Sequence, residues 1–389
     1  MKHEMTDHTL TLYLEGRIDS ANADSVEKEL RLLCAAAPAD VLVLDLEELQ
    51  YVSSAGLRVV LRLRKAHPSL KLINASSEVY DILDMTGFTE MMPVSKAYRR
   101  LSVDGCEVIG QGANGLVYRL DRDTIIKVYR SPDCLPDIHR ERELARKAFV
   151  LGVPTAIPYD VVRVGESYGS VFELLNAVSL AGILRDDPAM LDECARISVD
   201  LLKKIHATEL KPGEMPDQRQ VALGWAEFLK DHLPREHYEK LHALLTDIPA
   251  DCHMLHGDFH LKNVLLQDGE ALLIDMDTLC LGHPVFEFAA IFSAFQGFGE
   301  LDHSGVSNFL GIPFETCCRL MRRIFWLYFD FKDEAAYQAV LDKARVISYT
   351  RMLRRSIRRL IGTEYGQQFI AHCAQQLTCL LPRVDSLTF

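Results

Sequence analysis

The chain has 389 residues, nearly half of them apolar and a quarter charged, which is the balance of a globular protein too long for one ordinary core. A formal charge of −12 excludes a general nucleic-acid binder, which needs a basic surface, and no apolar run is long enough to span a bilayer. The opening MKHEMTDHTL has no apolar core of a secretory signal, and the ten cysteines lack any paired CxxC spacing, so reduced thiols in a cytoplasmic protein are expected.

Residues 9–14 (TLTLYL) alternate as a strand with one buried face. Residues 19–24 (DSANAD) are rich in helix-capping types, and helical periodicity follows over 25–33. Residues 41–45 (VLVLD) form a short continuous apolar run, the mark of a strand covered on both faces. A second helix is expected to begin near Ser54 with Leu57, Val60 and Leu61 inward, then a strand over 70–73 and a short helix over 77–85. Strands alternating with helices predict an α/β unit with a mainly parallel sheet. The polar stretch 95–100 (SKAYRR) reads as a linker closing a first domain over 1–98.

Three segments of this half, LEGRIDS (14–20), DLEELQYVSSAGL (45–57) and ILDMTGF (82–88), resemble the anti-sigma-factor antagonist, or STAS, domain. The resemblance implies a protein partner of the anti-sigma type. It also implies a phosphorylatable serine just before the second helix, a position held here by Ser54. A phosphate there would lie at the partial positive charge of a helix N-terminus. The residue before the acceptor is often Asp in that family and is Ser53 here. The alternative is that Ser53 and Ser54 only cap the helix.

The second half opens on CEVIGQGANGLVY (106–118), which places Gly110, Gly112, Gly115 and Val117 in a G-x-G-x-x-G-x-V pattern. A dinucleotide fold would need a helix directly after the glycines. Residues 116–120 instead read as a strand, 121–123 as a turn and 124–129 (TIIKVY) as another strand. A glycine hairpin with a lysine on the next strand is the kinase arrangement, in which the loop folds over a triphosphate and Lys127 reaches its α- and β-phosphates. That ammonium needs a carboxylate to hold it. The charged helix 138–148 (IHRERELARKA) offers Glu141 and Glu143, of which the spacing to Pro154 favours Glu141.

The segment HGDFHLKNVLL (256–266) and LLIDMD (272–277) complete the pattern. Asp258 is placed to orient an attacking hydroxyl and accept its proton, while Asn263 and Asp275 supply hard oxygens for Mg2+. Asp268-Gly269 predicts a tight hairpin that returns Asp275 to the same site. His253, His256 and His260 lack the spacing of a zinc signature. The apolar run 322–330 reads as core, and the arginines at 351, 354, 355, 358 and 359 read as a solvated helix face in preference to an acidic-substrate site.

The order HGDxHxxN, I-D-x-D and GHPVFEFA (282–289) resembles the aminoglycoside and choline phosphotransferases, and lacks the H-R-D, D-F-G and A-P-E signatures of protein kinases. The resemblance implies an α+β bilobal, protein-kinase-like domain over 105–389, with an N-lobe over 105–175 and a C-lobe over 176–389. It makes 170–175 (SVFELL) the hinge, where backbone groups at Glu173 and Leu175 bind the adenine of ATP. It gives Asp277 a part in holding the metal or the loop. At Glu287 this chain departs from the usual Asp of that family, at a structural position. The expected activity is transfer of the γ-phosphate of ATP to a hydroxyl of a small molecule. The alternative is a signalling protein whose kinase domain phosphorylates a protein serine, Ser54 of its own STAS domain included.

Overall fold

The computed structural model describes residues 1–111, 115–131 and 134–389. The chain folds as two units, one made of Met1–Ser102 with the short segment Val162–Gly165, the other of Val103–Val161 and Glu166–Phe389.

The first unit is a five-stranded sheet whose strands lie in chain order: His3–Thr6, Thr9–Ile18, Val41–Val52, Lys71–Ala75 and Val94–Lys96. The first pair is antiparallel and all others parallel. Helices Ala23–Ala36, Ser54–Ala66 and Ser77–Met85 connect the parallel strands, and Leu12, Leu30, Leu44, Leu72 and Val79 are buried together in the core. The alternation of strands and helices dictated this α/β arrangement, and three details differ from the sequence pattern. The edge strand His3–Thr6 carries no periodic apolar signal because all four residues are exposed. The strand from Val41 runs on to Val52, although Leu46, Leu49 and Val52 recur at a helix-like spacing of three. Register shifts after Tyr13 and Gly16 on its partner strand absorb the mismatch. The predicted linker begins inside a strand, since Val94–Lys96 pairs with Lys71–Ala75 and three residues are too few for a period of two to show.

The second unit begins with a sheet of order Val108–Gln111, Gly115–Arg119, Thr124–Tyr129, Ser167–Glu173 and Pro158–Val164, joined by the helix Leu135–Val150. The rest is mostly helical. Its centre is Val285–Phe295, a helix apolar on nearly every side, in which Phe288, Ile291, Phe292 and Phe295 are fully buried. Around it pack Leu191–His206, Phe314–Phe329 and Glu334–Leu360, through Leu202, Phe325 and Tyr349. The apolar run near Trp326 is thus core, and among the described residues no helix is long and apolar enough to cross a membrane. A hairpin of Val264–Gln267 and Glu270–Leu273 projects from these helices. Asp268 and Gly269, at φ 50° and 85°, form its turn.

Candidate active site

Three strands and one helix set the upper half of the site. Gly115 follows the glycine loop where a Cβ would fall 2.1 Å from the Val128 carbonyl oxygen, so only glycine lets these strands pair. A Cβ on Gly110 would meet nothing nearer than 3.5 Å. Gly112 lies outside the described residues. Val117 pairs in register with Lys127 on the neighbouring strand. Lys127 Nζ donates to Glu141 Oε1 at 2.9 Å and Oε2 at 3.2 Å, and to Asp275 Oδ1 at 3.0 Å. Glu141 is buried on its helix and also accepts from the Tyr129 hydroxyl, a partner the sequence reading did not anticipate. Glu143, two positions on, faces outward and pairs with Lys147 at 3.2 Å. Burial alone would pull the Lys127 ammonium down, but Glu141 and Asp275 outweigh it and hold the group above its ordinary range.

The lower half is the loop from His256 to Asn263, and it is fastened from beneath. Glu287, fully buried, accepts the His256 N–H at 2.6 Å and the Gly257 N–H at 3.1 Å. His256 Nδ1 accepts the Asp258 N–H at 3.3 Å, so its Nε2 carries the proton and donates to the Ile274 carbonyl at 3.2 Å. Gly257, at φ 80°, brings its backbone so close to Thr278 that a Cβ would lie 2.6 Å from that carbonyl oxygen. The Asn263 amide donates to the Asp258 carbonyl at 3.2 Å, and the Asn263 carbonyl accepts the Ile274 N–H at 3.0 Å. The loop is therefore tied at both ends to the strand that leads into Asp275. These bonds leave the Asp258 carboxylate 43% exposed at the surface of the site.

Asp275 adopts φ 64°, ψ 65°, a left-handed conformation that Asp tolerates better than most residues, and a short turn of 3-10 helix follows it. Burial, with Asp275 and Glu141 close by, pushes the Asp277 carboxyl up to about 7. Such crowding of carboxylates is what a cation relieves. The oxygens of Asn263 and Asp275 are hard donors, the type that suits magnesium. Among the described residues no three His, Cys, Asp or Glu side chains gather as a complete metal cage. The donor set therefore fits an ion that finishes its shell with phosphate oxygens and water. The histidines do other work. His256 has both ring nitrogens engaged, and His253 pairs with Asp251. His260, brought down to about 4 by burial against the opposing pull of Asp258, packs edge-on to Phe309.

The hinge segment ends the strand Ser167–Glu173. The Glu173 N–H is taken by the Ile157 carbonyl at 3.0 Å and the Leu174 N–H by the Asp123 carbonyl at 2.8 Å, with Leu175 half-buried just beyond. The structure corrects the reading of the arginine run at one position. Arg351 is not on a solvated face. Its Nη1 donates to the Gly257 carbonyl at 3.3 Å, and its Nη2 lies 4.0 Å from Asp258 Oδ1. Residues 346–350, just before it, are buried without exception. No local signal in the sequence sets Arg351 apart from the other four arginines.

The family model described as phosphotransferase enzyme family matches residues 105–307, and the STAS domain model matches residues 1–101. A protein of Bordetella bronchiseptica named as an anti-sigma factor antagonist, BtrV, is 38% identical over 99 residues, which cover 23% of this chain and 81% of that protein. Among solved structures, a thermostable mutant of aminoglycoside phosphotransferase APH(4)-Ia in ternary complex with ADP and hygromycin B superposes with a TM-score of 0.50. It shares 15% identity and covers 71% of this chain and 93% of its own. ADP-bound aminoglycoside phosphotransferase APH(2'')-Ib gives a TM-score of 0.50 at 13% identity, covering 78% and 99%. At these identities the structural likeness shows the fold, which is protein-kinase-like.

Proposed function

Because the chain belongs to the phosphotransferase enzyme family and carries a STAS domain at its N-terminus, we propose that it transfers the γ-phosphate of ATP to a hydroxyl of a small molecule, with the STAS domain binding a protein partner or regulating the reaction. The observation that carries this reading is the convergence of Lys127, Glu141 and Asp275 within hydrogen-bond distance, beside a loop that holds Asp258 and Asn263 together.

In this reading the glycine loop of Gly110, Gly112 and Gly115 covers the phosphates, and Val117 packs on the base. The hinge backbone at Glu173 and Leu175 receives the adenine. Lys127, kept in place by Glu141, binds the α- and β-phosphates. Asn263 and Asp275 hold Mg2+, which supplies positive charge to the phosphate oxygens. Asp258 accepts a hydrogen bond from the acceptor hydroxyl and aims it at the γ-phosphorus. As the new oxygen–phosphorus bond forms, the bond to the β-bridging oxygen breaks, ADP leaves, and the hydroxyl proton passes to Asp258. Charge stabilisation and alignment supply most of the rate, since phosphoryl transfer needs little covalent help.

A second reading makes Ser54 the acceptor. It has in its favour that Ser54 is exposed in the first turn of its helix, while the neighbouring Ser53 accepts the Ala55 and Gly56 N–H groups as the cap. The test is incubation of the full chain with Mg2+ and γ-labelled ATP, alone and with a panel of alcohols. Label on an added alcohol, with none on the chain, supports the first reading. Label on Ser54 alone sinks it.

A further inference from the structure

We infer that the acceptor carries an anionic group, phosphate or carboxylate, which docks on the arginine stripe of the helix Glu334–Leu360. This rests on the reading of Asp258 as the base. Arg351, Arg354, Arg355, Arg358 and Arg359 follow the spacing i, i+3, i+4, i+7, i+8, which aligns them on one face of the helix. The stripe starts at the reaction centre, since Arg351 touches the Gly257 carbonyl and lies 4.0 Å from Asp258. Arg355 is about one helical turn, roughly 5.4 Å, further along.

Four of these five cations lack a counter-charge. Among the described residues, Asp258 is the single carboxylate within ion-pair reach of any of the five. Some other exposed arginines of the same unit have a carboxylate: Arg196 with Glu193 at 2.8 Å, Arg235 with Glu239 at 2.7 Å and Arg323 with Asp192 at 2.8 Å. Arg354, Arg355, Arg358 and Arg359 thus continue from Arg351 as a run of four cations without a carboxylate partner among the described residues. Adjacent like charges on a helix are destabilising. Desolvation, then the neighbouring Arg359 and Arg351, hold Arg355 below the usual arginine range, and Asp258 opposes them. Glu300, on the helical side of the unit, is already engaged by Tyr349 at 2.7 Å and His372 at 2.8 Å.

The guanidinium groups are also held in place. Arg351 lies over Trp225 at 6.0 Å, Arg354 over Phe228 at 5.6 Å and Arg355 over Phe298 at 5.2 Å. Aromatic support of this kind restricts the orientation of a planar guanidinium. Arg354 Nε is buried without a hydrogen-bond partner. Bidentate arginine recognition suits phosphate and carboxylate alike. With the anion bound within a helical turn of the base, the acceptor is a small hydroxy compound whose anionic group lies a few bonds from the reacting hydroxyl.

The test is steady-state ADP release by the full chain with Mg2+ and ATP, against three sets of alcohols at equal concentration. The cationic set is choline and an amino sugar, the neutral set glycerol and a nucleoside, and the anionic set glycerol 3-phosphate, a hexose 6-phosphate and glycerate. The expected result is turnover of an anionic member with kcat/KM at least about tenfold above the other sets. The phosphate and carboxylate members separate the two sources of charge. Arg355→Gln should raise the acceptor KM by about 10- to 100-fold with kcat within about twofold, the loss of one charge-assisted hydrogen bond, and Arg355→Lys should recover part of it. Preference for a cationic or neutral alcohol, turnover of none, or an unchanged acceptor KM in Arg355→Gln overturns the inference. Should Asp258→Asn leave acceptor-dependent ADP release intact, the underlying reading of Asp258 fails instead.

Discussion

Replacing Glu287 by glutamine should loosen the loop from His256 to Asn263 from below. The Glu287 carboxylate is fully buried, and it accepts the His256 N–H at 2.6 Å and the Gly257 N–H at 3.1 and 3.3 Å. Burial works against its charge. His206, whose Nε2 lies 3.7 Å away, together with His256 and its backbone N–H, holds the carboxyl below the usual carboxylate range. His206 is itself steadied by the Tyr328 hydroxyl at 2.8 Å. Glutamine keeps the volume but turns one acceptor oxygen into a donor that faces backbone donors. The variant then loses at least one charge-assisted bond, worth about 1.5–3 kcal/mol. Both tryptophans, Trp225 and Trp326, lie on helices packed around this core, so unfolding in urea followed by tryptophan fluorescence reads this unit alone. A loop shifted by about 1 Å should also lower kcat by about 100-fold. The folded-state pKa is depressed, so the native advantage is present above the ordinary carboxylate pKa and is lost as pH falls through the depressed one. The gap between native and variant stabilities should therefore close below about pH 4. A stability change under about 0.5 kcal/mol with unchanged kcat would refute the reasoning, because surface substitutions produce changes of that size.

Gly115→Ala should weaken ATP binding and cost about 1–3 kcal/mol, since its Cβ meets the Val128 backbone, while Gly110→Ala should be tolerated. Nucleotide titration and thermal unfolding of both variants check this. In the STAS domain, Ser53→Ala should cost about 1 kcal/mol through loss of the helix cap, and Ser54→Ala much less. Hydrogen exchange across Ser54–Ala66 measures the difference, and equal protection losses in the two variants would reject the cap assignment.

Much of the site was legible because its signals are local. Glycines flanking two short apolar runs, a lysine on the next strand, and Asp268-Gly269 between apolar stretches each encode a turn or pairing within about twenty residues, and each appears in the fold. The preference for Glu141 over Glu143 came from spacing, and in the structure burial and Tyr129 distinguish the two carboxylates. What stayed hidden depends on contacts across long stretches of chain. Arg351 meets the Gly257 carbonyl 94 positions away, and Glu287 holds backbone N–H groups 30 and 31 positions before it. No spacing rule announces such pairs. The extension of the third strand to Val52 was masked by a different effect, because a bulged strand shows apolar residues three apart and imitates a helix.

The central claim is that Asp258 takes the acceptor proton, and Asp258→Asn tests it most directly. Asparagine keeps the size and the loop's backbone bonds but cannot accept the proton. Transfer of the γ-phosphate to the acceptor, followed with labelled ATP, should fall by about 100-fold or more while ATP binding is retained. Transfer at the native rate in that variant would contradict the account.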